Sequence, residues 1–318
     1  MGTSLSSRSH RIVPAALRQI VSSVARRLLR SHWKSIGFRD IDRTPLSAFS
    51  NSRPFEPELK LLPLFLSRPG FVFDVGANRG EYTYVLERAV GPEYTYAIEP
   101  LPRLCSRLRT LFPKAHILKM ALSDTVGTLT LKTPIIRGSP LWTRSTLERF
   151  VDIGETGAVF EEVPVLPLDL LCEQLQVRDV QLIKIDVEGH ERSVLRGALK
   201  VLQRSHPVLF VEIEQRHHAE PITELFSWIQ EQSYSGYFFD CQTMSLRSIG
   251  EFSVGSHQLP QHLGSPQYVN NFLFVNESST DFMLSVQLEL QKKTEKSSIT
   301  ILNNFNRPFQ FQPLPHMD

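Results

Sequence analysis

Phe71-Val72-Phe73-Asp74-Val75-Gly76-Ala77-Asn78-Arg79-Gly80 decides the fold. Three apolar residues lead into an acid, two glycines stand four apart, and a helix-forming run extends from Glu81 to Ala89. That is how a buried strand turns sharply into a helix. Glycine serves where the backbone takes positive φ or comes close to a ligand, and the helix start offers unpaired N–H groups to an anionic or polar partner. Two readings fit the stretch alone, a ligand loop and a plain tight turn.

The next strand favours the ligand loop. This second apolar run, Tyr94 to Ile98, ends in Glu99, about 20 residues beyond Gly80, where an acid can accept both hydroxyl protons of a ribose. The glycine spacing is G-x-x-x-G and not G-x-G-x-x-G, so a pyrophosphate close to the backbone is disfavoured. An adenosine cofactor without a pyrophosphate suits the spacing better.

The 318 residues are enough for one large α/β domain with a sizeable core. Apolar residues at 41% and charged residues at 21% are ordinary for a soluble globular protein. Charge is unevenly placed: residues 1–43 hold nine Lys or Arg against two Asp, which leaves the remainder acidic. That remainder gives no support to a nucleic-acid-binding face. Cys105, Cys172 and Cys241 stand about 70 residues apart without a C-x-x-C pair, which predicts free thiols in a reducing compartment. His217-His218 reads as a solvated loop, and no metal site is expected.

Along the chain, Val13, Leu17, Ile20, Val24 and Leu28 recur with helical spacing among arginines. The segment is too short in apolar run to cross a bilayer. A basic amphipathic helix over 11–30 has three readings: peripheral contact with an anionic membrane, an organelle transit peptide, and packing on the domain or a partner. Met1 to Ser6 formally matches a myristoylation signal, a pattern short enough to arise by chance. Prolines at 45, 54, 57, 63 and 69 mark a linker with a short helix near Glu58 to Leu66. Three regions are expected: residues 1–55, a compact domain over 56–275 and a polar tail over 276–318. The matching location is cytoplasmic, with peripheral membrane contact through residues 11–30 as the further option.

After Glu99 a helix starts at Pro102, where a first turn tolerates proline, and His116 to Leu122 forms a third strand. Alternating strands and helices predict a parallel sheet covered on both faces. The alternation pauses over 125–166, where strand-like runs at Thr128 to Lys132 and Val163 to Leu168 flank an irregular stretch. An insertion of that length is usually functional, and it is read as the substrate side of the pocket. Alternation resumes with Leu182 to Asp186, a helix from Glu191 to Gln203, and a strand from Val208 to Glu214. Buried parallel strands read as nearly continuous apolar runs, so Lys184, Asp186, Glu212 and Glu214 stand out. Period two puts Lys184 and Asp186 on one face of their strand and Glu212 and Glu214 on one face of theirs. Lys184 is therefore expected to pair with Glu212 inside the sheet, while Asp186 and Glu214 lie at carboxyl ends, where open α/β sheets bind ligands. A helix from Ile222 to Gln230 and strands at Gly236 to Asp240 and Tyr268 to Val275 complete the sheet.

In that order Asp74 to Gly80, Ile98 to Pro102, Ala121 to Ser123, and Ile183-Lys184-Ile185-Asp186-Val187-Glu188-Gly189-His190-Glu191 resemble the FkbM family of methyltransferases, over about Phe71 to Val275. The resemblance implies a class I methyltransferase (Rossmann-like) sheet of seven strands, the seventh antiparallel, and S-adenosylmethionine as cofactor. It also implies O-methylation of a hydroxyl on a saccharide, glycolipid or natural product. By the same resemblance Asp74, Gly76, Asn78 and Gly80 hold the methionine part, Glu99 the ribose, and Leu122, Ser123 and Asp124 flank the adenine. Asp186 then sits beside the methionine amine and the reacting methyl group.

The sulfonium makes its methyl electrophilic, so the protein mainly holds an acceptor oxygen in line, an effect worth roughly 7–11 kcal/mol at best. A general base adds about 10²–10⁴-fold. Asp186, Glu214 and His190, in that order, are the candidates, although a carboxylate beside a sulfonium keeps its charge and makes Asp186 the better electrostatic partner. Two other readings share the fold: an NAD-dependent oxidoreductase, and a non-catalytic scaffold or membrane-associated module.

Overall fold

The computed structural model describes residues 57–66, 70–243, 245–265, 267–279, 283, 286 and 287. The basic helix expected over 11–30 and most of the polar tail lie outside those residues.

The strands come in chain order as β1 (Phe71–Val75), β2 (Thr95–Ile98), β3 (His116–Leu118), β4 (Ala121–Leu122), β5 (Gly127–Ile136) and β6 (Ser139–Pro140). They continue as β7 (Glu155–Leu166), β8 (Val180–Ile185), β9 (Val208–Glu212), β10 (Tyr234–Asp240), β11 (Ser245–Ser248) and β12 (Asn271–Asn276). The helices are α1 (Glu81–Val90), α2 (Pro102–Leu111), α3 (Leu168–Gln174), α4 (Glu191–Arg196), α5 (Leu199–Ser205), α6 (Ile222–Glu231) and α7 (Val254–His257). The expected helix from Glu191 to Gln203 is thus two helices interrupted at Gly197-Ala198.

The main sheet runs β3-β2-β1-β8-β9-β12-β10-β11. β1 pairs in parallel with β2 and β8, and β8 with β9, whereas β12 is antiparallel to both of its neighbours. The α/β class and the reversed seventh strand hold. The count differs, because β11 adds an eighth strand that pairs antiparallel with β10 at the edge.

Period two sorts the sheet into two faces. Phe73, Val75, Ile183, Ile185, Leu209 and Val211 belong to a buried cluster with side chains of α3, α4, α5 and α6. The opposite face meets α1, whose Tyr82 ring lies 5.9 Å from the Phe210 ring. On that face Lys184 is fully buried. Its ammonium is 3.8 Å from Glu212 Oε2, donates to Asn271 Oδ1 at 3.0 Å, and lies 4.4 Å from the Tyr82 ring centroid. The pairing with Glu212 read from strand period is present, and the further partners satisfy a charge whose desolvation would otherwise be costly.

The insertion is regular, which corrects the irregular stretch expected there. β5 and β7 form a long antiparallel hairpin, with Gly127 opposite Val165 and Ile135 opposite Gly157. With β4 and β6 it makes a second, four-stranded sheet. The strand expected over His116 to Leu122 is divided between the two sheets, β3 in one and β4 in the other. All three cysteines are free, as expected. Among the described residues no helix is long and apolar enough to cross a membrane.

Candidate functional site

The loop after β1 shows why its residue types are needed. Gly76 has φ +79°, and an added Cβ would lie 1.8 Å from the Asp186 carbonyl oxygen. The Asp186 N–H in turn donates to the Val75 carbonyl at 2.9 Å. The first glycine therefore lets the ends of β1 and β8 touch. Asn78 comes next in the left-handed region at φ 49°, and Gly80 caps α1.

Two backbone donors fix Glu99. The Asn78 N–H donates to its Oε2 at 2.8 Å and the Leu101 N–H to its Oε1 at 2.9 Å. Glu99 is 4% exposed, and burial pushes its carboxyl up to about 7 against those two donors. Asp74, at 1% exposure, accepts from the Thr83 hydroxyl, and burial pushes it up to about 6 although Lys184 draws it down. The acids lie close together: Asp186 raises both Asp74 and Glu99, and Asp74 raises Glu99. Asn78 Oδ1 is buried without a hydrogen-bond partner. A buried acceptor and three mutually repelling acids fit a ligand that carries positive charge and donors. They do not suit a pyrophosphate.

The turn after β4 places Leu122 and Ser123 in the interior and leaves Asp124 exposed. The Ser123 hydroxyl donates to Asp124 Oδ1 at 3.3 Å and lies 3.0 Å from His190 Nε2. The other His190 nitrogen, Nδ1, is 2.6 Å from Glu148 Oε1 on the hairpin. Both ring nitrogens of this candidate base are therefore engaged, and the residue joins the start of α4 to the hairpin.

At the ends of β8 and β9 the hairpin loop supplies charge. Arg216 donates to Glu214 through Nε at 2.6 Å and Nη2 at 3.0 Å, and its Nη1 reaches Asp152 at 3.3 Å. Arg144 grips Asp152 from the other side at 3.0 and 3.1 Å. The Tyr268 hydroxyl donates to Glu214 at 2.7 Å. These donors outweigh burial and hold the Glu214 carboxyl down at about 2, so it is a weak proton acceptor. Lys132 donates to the Phe150 carbonyl and lies 2.8 Å from Glu155 Oε2, which fixes the loop further.

Between these two parts stand residues for which the sequence reading found no functional role. Glu188 takes φ 52°, a conformation costly for a residue with a side chain. Thr146 of the hairpin loop donates to its carbonyl at 2.7 Å. Its Oε2 is 3.1 Å from His217 Nδ1, with side-chain exposures of 13% and 4%. Phe150 stacks on the His217 ring at 4.9 Å and 18°. A Cβ on Gly189 would come within 2.9 Å of the His217 carbonyl, so the two loops meet closely there. His217-His218 is thus not a solvated loop: His217 is buried, and His218 Nε2 lies 3.0 Å from Glu191 Oε2. The reason lies in the hairpin, which covers the end of β9.

Glu188, Glu214 and His217 also bring three ligand-type atoms within 4.8 Å of one another, a grouping the sequence did not lead one to expect. Arg216 and Tyr268 already occupy both oxygens of Glu214, so a cation there would compete with a guanidinium.

Residues 74–236 match the family described as the methyltransferase FkbM domain. A hexuronic acid methyltransferase, AglP of Haloferax volcanii, is 27% identical over 160 residues, which cover 49% of this chain. The chain spans 61% of that relative's length. A solved methyltransferase FkbM from Methylobacillus flagellatus is 15% identical, with a TM-score of 0.40 over 65% of this chain and 43% of that one. An O-methyltransferase from Bacillus cereus, solved with S-adenosylhomocysteine, is 14% identical, with a TM-score of 0.39 over 81% of this chain and 96% of that one.

Proposed function

The chain belongs to the methyltransferase FkbM domain family, and from that premise we propose that it transfers the methyl group of S-adenosylmethionine to a hydroxyl of a saccharide. The observation that carries this reading is the row of acids formed by buried Asp74 and Glu99 and half-buried Asp186, beside the unpartnered Asn78 Oδ1. A cofactor with a sulfonium and an ammonium offsets the repulsion among those acids, whereas a dinucleotide would add to it. Glu99 receives the ribose hydroxyls through the lone pairs that its two backbone donors leave open. Asn78 Oδ1 accepts from the methionine part, Asp186 faces the cationic end, and Leu122, Ser123 and Asp124 flank the adenine. Residues 56–275 are the catalytic domain, and the hairpin over 125–166 forms the acceptor side.

The saccharide acceptor draws support from the hexuronic acid methyltransferase relative. The polar and charged residues at the hairpin also suit a polar acceptor better than an apolar one: Arg144, Asp152, Arg216 and Tyr268 bring donors and acceptors there. Of the candidate bases, Glu214 and His190 are occupied by other partners.

Thermal unfolding with S-adenosylhomocysteine and, separately, with NAD⁺ tests the cofactor. A ligand at about 100 times its Kd stabilises by about 2.7 kcal/mol, and stabilisation by NAD⁺ alone would overturn the proposal. Transfer of labelled methyl to glucuronic-acid-terminated oligosaccharides, with neutral oligosaccharides and peptides alongside, tests the acceptor. Label in peptide alone would sink the saccharide reading.

A further inference from the structure

We propose that His217 Nε2 is the proton acceptor for the reacting hydroxyl, with Glu188 as the positioning residue that sets its tautomer; the assignment rests on the methyltransferase reading above. His217 Nε2 is buried and has no hydrogen-bond partner, while Nδ1 stands 3.1 Å from Glu188 Oε2. One nitrogen thus stands in ion-pair range of a carboxylate, and the other is buried without a partner. A buried imidazole normally uses both nitrogens, so a buried nitrogen without a partner at the ends of β8 and β9 is read as one kept for a ligand.

Three further features hold the pair in place. Glu188 is two residues beyond Asp186, on the loop where β8 meets the cofactor crevice, and it keeps an unfavourable backbone conformation with Thr146 bonded to its carbonyl. Phe150 covers one face of the imidazole. The neighbouring acid Glu214 is locked by Arg216 and Tyr268 and cannot take the role itself.

In the transfer the acceptor oxygen forms its bond to the methyl carbon with one of its lone pairs. The S–CH₃ bond breaks with its electron pair going to sulfur, and the hydroxyl proton passes to His217 Nε2. The imidazolium that results is stabilised by the Glu188 carboxylate. Atoms and charge balance: the sulfonium charge is replaced by the imidazolium charge, and the proton later leaves to water.

The protonation of the pair depends on the ligand. In the protein alone, burial beside Asp186 and Glu214 raises the Glu188 carboxyl well above the usual range, against the lowering effect of Arg216 and Arg144. Burial and Arg216 lower His217 to about 4, against Glu214, Glu191 and Asp152. A protonated Glu188 would give its proton to a bond with Nδ1 and force the hydrogen of the ring onto Nε2. A positive charge beside Asp186 and Glu188 favours the carboxylate. The productive tautomer, with Nδ1–H to Glu188 and a lone pair on Nε2, therefore belongs to the protein loaded with the cationic cofactor.

The test uses the full chain labelled with ¹⁵N, with the ring resonances assigned through His217→Asn. With S-adenosylmethionine at pH 7.5 the spectrum should show a protonated Nδ1 and an unprotonated Nε2. With the uncharged thioether S-adenosylhomocysteine the Nε2–H form should grow. An Nε2–H or imidazolium signal with S-adenosylmethionine would overturn the assignment, and so would displacement of the His217 signals by Mg²⁺, which would make the trio a metal site. In parallel, methyl transfer to glucuronic-acid-terminated oligosaccharide is followed as a function of pH. His217→Asn should lower kcat about 10²–10⁴-fold, with the acceptor KM within about threefold. Glu188→Gln should lower kcat by a smaller factor and move the acid limb of the pH profile, and Glu188→Asp should restore part of the rate. Binding of S-adenosylhomocysteine shows that the variants are folded. Retention of the wild-type kcat and pH profile by both variants overturns this assignment and leaves the methyltransferase reading intact. Failure of the wild type on every saccharide sinks that reading, while the ring spectrum still decides the tautomer.

Discussion

The two halves of the crevice treat the same side chain in opposite ways. On the cofactor half, burial raises Asp74 to about 6 and Glu99 to about 7. On the hairpin half, Arg216 and Tyr268 hold Glu214 at about 2, and Lys132 lowers Glu155 despite its burial penalty. All four are acids of one domain. The difference lies in the partner: the hairpin half brings its own cations, whereas the cofactor half meets its acids mainly with backbone N–H groups and a hydroxyl. On the proposed reading, buried acids whose carboxyls stay raised mark the place where a cation from outside is received. Acids already paired mark a place built to be rigid.

If that division is real, damage to one half should spare the other. Arg216→Met should have the largest effect. It removes the guanidinium from a pair with Glu214, whose exposure is only 4%, and leaves that carboxylate buried, a loss that typically costs about 3–5 kcal/mol. The depressed Glu214 contributes stability above the ordinary carboxylate range that is lost as pH falls toward 2. The variant should therefore unfold at a less acid pH than the parent in an acid titration, yet bind S-adenosylhomocysteine within about threefold of the parent Kd. A large loss of cofactor affinity would break the division. Gly76→Ala is the converse. Its Cβ would lie 1.8 Å from the Asp186 carbonyl at φ +79°, and left-handed strain alone costs of order 1–3 kcal/mol. Calorimetry should find at least about a 100-fold loss of S-adenosylhomocysteine binding, about 2.8 kcal/mol. The Tyr268–Glu214 bond, monitored by the Tyr268 ring signals, should remain.

The two halves also differ in how far they can be read from the chain. The cofactor half is local. Strand, glycine loop, helix and closing acid succeed one another within about 30 residues, the length of one βαβ unit, and the alternation of apolar residues gives their order. Even the pairing of Lys184 with Glu212 is legible, because two neighbouring parallel strands with period two leave little choice of face. The hairpin half is assembled from distant pieces. Arg216 reaches Asp152 across 64 positions and Tyr268 reaches Glu214 across 54. β5 and β7 show weak alternation because much of each strand is exposed on both faces, and Pro134 and Pro164 within them read as breakers. For that reason 125–166 reads as irregular when it is a hairpin. Glu188 stands inside a motif quoted for its other residues, and His217 is buried only because Phe150 arrives from the hairpin. No short-range signal identifies either.

The next effect is a linkage of cofactor affinity to pH. Raised carboxyls stabilise the empty fold least when ionised: the folded state holds protons that the unfolded state has released, so stability from Asp74 and Glu99 falls as pH rises from the ordinary carboxylate range through about 6 and 7. A cationic ligand works against that ionisation cost. The affinity for S-adenosylmethionine should increase between pH 5.5 and 8, by up to about tenfold per pH unit for each proton released. S-adenosylhomocysteine, without the sulfonium charge, should show a shallower slope. Calorimetry in buffers of different ionisation enthalpy counts the protons directly. Equal slopes for the two ligands would mean that the acid row does not face the sulfonium.

The smallest effect concerns the contact that joins the halves. Phe150 lies flat on His217 at 4.9 Å and carries its carbonyl to Lys132. An aromatic contact of this kind is worth about 0.5–1.5 kcal/mol beyond the area it buries, and the carbonyl bond survives truncation of the ring. Phe150→Ala should therefore lower the unfolding temperature by only a few degrees and leave S-adenosylhomocysteine binding unchanged. Its influence should appear in the imidazole. With one face opened to water, the desolvation that holds His217 near 4 is relieved, and its titration in the empty protein should move upward toward the ordinary histidine range. Because a buried neutral histidine makes the fold less stable as pH falls from about 6.5 toward 4, the variant should also lose less stability across that interval than the parent. If the His217 titration stays where it is in the parent, burial by Phe150 is not what keeps the ring neutral. The charge of Arg216 would then be the cause, and Arg216→Met should raise the titration instead.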